Sequence, residues 1–191
     1  QSSSIDTSKA TTAVFYSISN CQPGLRGVSL GNFLIKNVVG VLSREFPRLK
    51  VFCTLSPVPG FAAWLGALLK KGDAEQFEAA APALKAVSAR LGANVAKIAG
   101  EPDCVERLAP LKEPLMQLCA AYLLRRADAG EPAPDPVARF HLNNGASLER
   151  INWLADTSKK GLKESLGLMV NYLYEPRAIE SNHDKFVRGE F

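Results

Sequence analysis

The stretch "AVFYSISNCQPGLRGVSLGNFLIKNVVGVLSREF", Ala13 to Phe46, decides the fold. Its first part, Ala13–Ser19, is rich in β-branched and aromatic residues and reads as a strand. "NCQPGLRGVSLGN" follows, with three glycines, a proline and Arg26. Beyond it, Leu34, Ile35, Val38, Val39, Leu42 and Phe46 recur at the spacing of an amphipathic helix. Asn32 stands where an N-cap is needed, and Pro47 closes the helix. "LKVFCTL", Leu49–Leu55, reads as a second strand. Strand, glycine loop, helix and strand in succession point to an α/β fold.

A glycine-rich turn at a helix N-terminus aims several backbone N–H groups at one point, where the helix dipole adds positive potential. Gly24, Gly27 and Gly31, with Arg26 among them, would suit a pyrophosphate. The spacing matches neither GxxxxGK[ST] nor GxGxxG, so a P-loop or a Rossmann fingerprint is unsupported. A flexible strand-to-helix connection is an equally good reading, and the pattern alone names no ligand.

The second strand runs into "LSPVPGF", Leu55–Phe61. Pro57 biases Ser56 towards an extended backbone, and Pro59 with Gly60 then redirects the chain. The plain reading is a turn. The sharper one is a hydroxyl fixed at the rim of a sheet, where a ligand can meet it.

From Phe61 to Arg126 the chain becomes helical and alanine-rich. "FAAWLGALLKK" is a helix that stops near Gly72, and two further helical stretches follow, with breaks or kinks expected at Pro82, Pro110 and Pro114. "ADAGEPAPDPVA" reads as a proline-rich linker, bounded at 129–138. It leads into "RFHLNNGASLERINWLADTSKKGLKESLGLMVNYLY", in which "GLMVNYLY" leans towards strand. His141 lies there, one of two histidines in the chain, beside Asn143 and Asn144. It reads as a core residue, or as an imidazole whose neighbouring amides orient it or donate to an oxyanion. His183 reads as a surface or packing residue.

Composition narrows the classes. With 47% hydrophobic and 22% charged residues, the 191-residue chain can bury a core. No apolar run approaches the ~18 residues of a membrane helix, and "QSSSIDTSKATT" lacks a secretory apolar stretch, so a cytoplasmic location is expected. The net charge of +4 is too mild for a dedicated nucleic-acid binder. Cys21, Cys53, Cys104 and Cys119 form no CxxC or metal pattern and read as reduced thiols.

"TTAVFYSISNCQPGLRGVSLGNFLIKNVV", "LSPVPGF" and "FHLNNGASLERINWLADTSKKGLKESLGLMVNYLYEPRAIESNHDKF" resemble the C-terminal catalytic region of malonyl-CoA decarboxylases. The resemblance runs through nearly the whole chain and is weakest in its helical middle. It implies a GNAT-type acyl-CoA fold, a mixed sheet flanked by helices, with the alanine-rich 61–128 segment inserted. It implies conversion of malonyl-CoA to acetyl-CoA and carbon dioxide, with no metal or organic cofactor. The family's catalytic serine is similar in context to Ser56, its histidine to His141 and an active-site tyrosine to Tyr174. The backbone of Arg26, Gly27, Val28, Ser29, Leu30, Gly31 and Asn32 would take the CoA pyrophosphate. Lys159, Lys160 or Lys163 would reach the 3′-phosphate, unless that basic run is simply a solvated face.

Two departures are visible. Members of the family carry a helical N-terminal domain and further strands ahead of "TTAVFYSIS", so the chain is expected to be a partial catalytic domain. Some members have an acid where Ser29 stands, so no general-acid role falls there. On this reading Ser56 orients the malonyl carboxylate or the thioester carbonyl. His141, with an ordinary pKa near ~6.5, donates the proton, and Tyr174 holds the acyl group. A homo-oligomer is expected, with no nucleic-acid or membrane partner. The rival readings are an acyl-CoA N-acyltransferase and a non-catalytic CoA-binding or oligomerisation fragment.

Overall fold

Strand β1 (Thr12–Tyr16) pairs in parallel with β2 (Val51–Pro57), Val14 lying opposite Cys53. Two parallel neighbours need a long crossover, and the helix between them, α1 (Gly31–Glu45), belongs to it. These elements come from a computed structural model that describes residues 9–16, 31–71, 79–92, 95–124 and 135–190. α1 begins at Gly31, so Asn32 lies inside its first turn rather than at its cap. Ile35 and Val39 on its apolar stripe are buried, whereas Phe46 falls beyond the last turn and is exposed.

Next come α2 (Phe61–Lys71), α3 (Ala81–Leu91), α4 (Val95–Ile98), α5 (Cys104–Leu108) and α6 (Lys112–Leu123). Of the three prolines expected to break or kink these helices, Pro110 marks a break, and the other two stand where helices start. Pro82 and Pro114 lie in the first turns of α3 and α6, and Pro110 lies in a 3-10 turn between α5 and α6. A first-turn residue needs no intrahelical N–H partner, so proline costs little there.

The final third contains α7 (Pro136–Asn143), β3 (Ser147–Asn152), α8 (Lys159–Ser165), β4 (Met169–Leu173) and α9 (Ile179–Val187). Residues 129–134 of the expected proline-rich linker lie outside the described residues. Its end is not linker: Asp135 caps α7 by accepting the N–H groups of Val137 and Ala138 at 2.9 and 3.0 Å. The run "PDPVA" therefore holds a helix start, an acidic cap followed by proline at the first helical position. The strand expected in "GLMVNYLY" is β4.

The four strands form one mixed sheet in the order β1-β2-β4-β3. By contacts the chain divides into two compact units. One comprises Gln1–Ser56, Phe140–Glu149 and Asn171–Phe191, and the other Pro57–Arg139 and Arg150–Val170. The second unit has an apolar core that includes Phe61, Leu65, Leu108, Leu115 and Leu118. In the first, α9 braces the turn that ends α7. Asn182 donates to the Gly145 carbonyl at 3.2 Å, and His183 donates through Nδ1 to the Asn143 carbonyl at 2.6 Å. Gly145 itself has φ 77°, and a Cβ there would collide with the Ile179 carbonyl.

Candidate active site

Alternation along β2 sends Phe52, Thr54 and Ser56 to its buried face. On β4 and just beyond it, Tyr172 and Tyr174 are likewise buried, two residues apart. Because β2 and β4 are neighbours in the sheet, these hydroxyl-bearing side chains gather in one place. The Tyr172 N–H donates to Thr54 Oγ1 at 3.2 Å, and the Asn171 amide donates to the Thr54 carbonyl at 2.6 Å. Ser56 Oγ lies 2.9 Å from Thr54 Oγ1.

The last turn of α7 supplies His141. Its Nε2 is 3.0 Å from Ser56 Oγ, and its Nδ1 is 2.8 Å from the Tyr174 hydroxyl. The ring stacks on Tyr172, with centroids 4.5 Å apart and planes at 24°, and meets Phe140 edge-on. The imidazole is thus gripped at both nitrogens and on one face. Its exposure is only 2%, and burial pulls its pKa down from 6.5 to about 4. The ordinary pKa near ~6.5 expected of His141 is therefore corrected downward, because burial favours the neutral ring. Burial likewise raises the Tyr174 pKa, which keeps the phenol protonated.

The structure brings Ser56, His141 and Tyr174 together from three distant stretches of chain. Of the expected CoA loop, Arg26, Gly27, Val28, Ser29 and Leu30 lie outside the described residues, and Gly31 and Asn32 open α1. Asn144 Nδ2 is engaged at the end of α7, donating to the Phe140 carbonyl at 2.6 Å. Lys159, Lys160 and Lys163 are exposed on α8. Thr54 and Tyr172 escaped the sequence reading. The signal that could have found them is the period of two, which puts each on the same strand face as Ser56 and Tyr174 respectively. Among the described residues, no group of three or more His, Cys, Asp or Glu is arranged to hold a metal.

A serine hydroxyl, an imidazole and a phenol in series can hold and pass a proton beside an oxyanion. The sequence model of the malonyl-CoA decarboxylase C-terminal domain matches residues 1–190. The chain belongs to this family. A mitochondrial malonyl-CoA decarboxylase of Anser anser anser is 45% identical over 187 residues, 93% of this chain and 37% of that protein. The Rattus norvegicus protein of the same description is 48% identical over 178 residues, 87% of this chain and 36% of its own. Among solved structures, malonyl-CoA decarboxylase from Agrobacterium vitis superposes with a TM-score of 0.80 at 45% identity, covering 96% of this chain and 43% of that one. The Rhodopseudomonas palustris enzyme gives 0.74 at 48% identity, covering 95% and 40%. The chain thus spans little more than a third of these curated decarboxylases and about two fifths of the solved ones.

Proposed function

We propose that this chain carries the reacting centre for decarboxylation of malonyl-CoA to acetyl-CoA and carbon dioxide. The observation that carries the reading is the buried series Ser56–His141–Tyr174, held at 3.0 and 2.8 Å, in a chain of the malonyl-CoA decarboxylase family. When the bond between the α-carbon and the carboxylate breaks, its electron pair moves into the thioester carbonyl and leaves an enolate. The thioester is itself the electron sink, so we propose no metal or organic cofactor. One proton must be taken up at the α-carbon for each carbon dioxide released.

Ser56 orients the malonyl carboxylate or the thioester carbonyl, and Tyr174 helps to hold the acyl group. His141 supplies the proton. The ring is neutral in the unliganded protein, but an incoming carboxylate places a negative charge beside it and favours imidazolium. The ring thus takes one proton from solvent as the carboxylate binds and gives it to the α-carbon, which returns the ring to neutrality. The CoA pyrophosphate is assigned to the backbone of Arg26 to Asn32 in a GNAT-type arrangement, which the parallel β1–α1–β2 order supports. A homo-oligomer is proposed with it. A reducing compartment, the cytoplasm, is proposed from the free thiols of Cys53, Cys104 and Cys119, with the mitochondrion of the animal relatives as the alternative.

The test is carbon dioxide release from malonyl-CoA, by this chain alone and by the whole protein that contains it. His141→Ala should lower kcat by about 10²–10⁴-fold, the contribution of a general acid. Release that ignores His141 overturns the site. Silence from the whole protein overturns the reaction, and an acylated amine among the products makes it an acyltransferase.

A further inference from the structure

His141 meets three aromatic rings, and they are not equivalent. Phe140 and Tyr174 stand steeply to the imidazole, at 77° and 70°. Tyr172 lies nearly parallel to it, at 24° with centroids 4.5 Å apart, so the phenol ring covers one face of the imidazole with its own. Tyr172 is fully buried, and its N–H donates to Thr54 Oγ1 at 3.2 Å, which fixes this part of β4 against β2.

The groups around the ring differ in which charge state they can serve. The hydroxyls of Ser56 and Tyr174, at 3.0 and 2.8 Å from its nitrogens, suit either form, because each can give or take a hydrogen bond. Burial raises the Tyr174 pKa and keeps that phenol neutral, and no charged side chain takes part in the shift of the His141 pKa. An aromatic face is selective. Its quadrupole is negative, so it packs against a neutral ring but attracts a cation. At a desolvated site the attraction amounts to about a tenfold shift in the protonation equilibrium. Burial opposes the charged ring, and the Tyr172 face offsets part of that opposition.

We infer that Tyr172 is a positioning residue that acts through His141: its ring face holds the imidazole from one side and stabilises the imidazolium that delivers the proton. The functional half rests on the decarboxylation reading, in which the ring charges as the malonyl carboxylate binds. The stack is needed in that charged state, whichever nitrogen carried the proton beforehand.

The test is the pH dependence of kcat for malonyl-CoA decarboxylation by the whole protein, whose alkaline limb reports the proton donor in the substrate complex. Tyr172→Phe keeps the face and should leave the limb within about 0.3 pH unit of the wild type. Tyr172→Leu removes the face. It should move the limb about one pH unit towards acid, with kcat about 10-fold lower on the alkaline side and KM within about twofold. Pentafluorophenylalanine at position 172 keeps a six-membered ring but draws charge from its face, and should move the limb the same way. It decides the matter if the leucine variant folds badly. A limb that stays in place in the leucine and fluorinated proteins, whatever their maximal rates, makes Tyr172 a packing residue and overturns the proposal. So does a limb that moves equally in Tyr172→Phe. Nitrogen NMR of 15N-histidine-labelled protein needs no turnover and separates the stack from the reaction. As the pH falls towards 4, His141 should charge at a lower pH in the leucine and fluorinated proteins than in the wild type. Identical titrations overturn the stack. The expected titrations without carbon dioxide release keep it and sink the decarboxylation instead.

Discussion

His141, in the unit that carries the active-site series, and Asp135, in the helical unit, are both buried ionisable side chains, yet their neighbours treat charge differently. Asp135 is surrounded by donors. The N–H groups of Val137 and Ala138 bond its Oδ1, and the Tyr122 hydroxyl and the Gly60 N–H approach Oδ2 at 3.4 and 3.5 Å. Burial raises its pKa, and these donors pull against the rise. His141 has hydroxyls at both nitrogens, which can give or take a proton, and burial alone drives its pKa down. One environment surrounds a helix-capping carboxyl with donors that offset part of the cost of burying it. The other keeps a ring neutral while leaving it able to exchange a proton, which suits a group that must gain and lose one in each turnover.

The contrast is open to test, most strongly through acid stability. The folded-state pKa of His141 is depressed, so between pH 6.5 and about 4 the unfolded chain binds the extra proton. Stability from this group is complete above about pH 6.5 and is lost as the pH falls towards 4. At about 1.4 kcal/mol per pH unit the loss comes to about 3 kcal/mol. Urea unfolding of the wild type and of His141→Gln from pH 4 to 7 should show that slope disappearing in the variant. An unchanged slope would mean that the ring is not held neutral. Asp135 carries the opposite sign: its pKa is raised, so its contribution falls as the pH climbs through the folded value.

Asp135→Ala should cost about 1–2 kcal/mol, the usual loss on removing a helix N-cap acceptor. Denaturant midpoints at pH 7 measure it, and a cost under about 0.5 kcal/mol would show that the cap contributes little. The smallest effect is expected at the surface. Lys36 and Glu180 pair at 2.7 Å across α1 and α9, and both are exposed; the pair lowers the Glu180 pKa. Lys36→Met should move the melting temperature by under about 1 °C, because exposed pairs are screened and lose side-chain entropy. A larger drop would mean that the contact organises α9 against α1.

Local signals were legible where a single element decided the outcome. The stripe of α1 was visible as a period near 3.6, the buried face of β2 lay in an apolar run, and α2 matched the quoted "FAAWLGALLKK" from first residue to last. α7 was hidden because "PAPDPVA" offers the same prolines to a linker and to a helix start, and only the Asp135 cap distinguishes them. Ser56 drew attention through Pro57 and His141 through its rarity, whereas Thr54 and Tyr172 look like ordinary strand residues.

By itself the sequence determined the opening order of strand, helix and strand, the family and the chemical types available: a serine before proline, a histidine among amides and a tyrosine at a strand end. These depend on neighbours along the chain. Tertiary structure decided which atoms touch. Pairing of β2 with β4 brings Thr54 to the Tyr172 N–H across 118 positions, and α7 sets His141 against Ser56 across 85. It also decided the charge of the ring, because desolvation depends on what surrounds a side chain in space and has no counterpart in the order of residues.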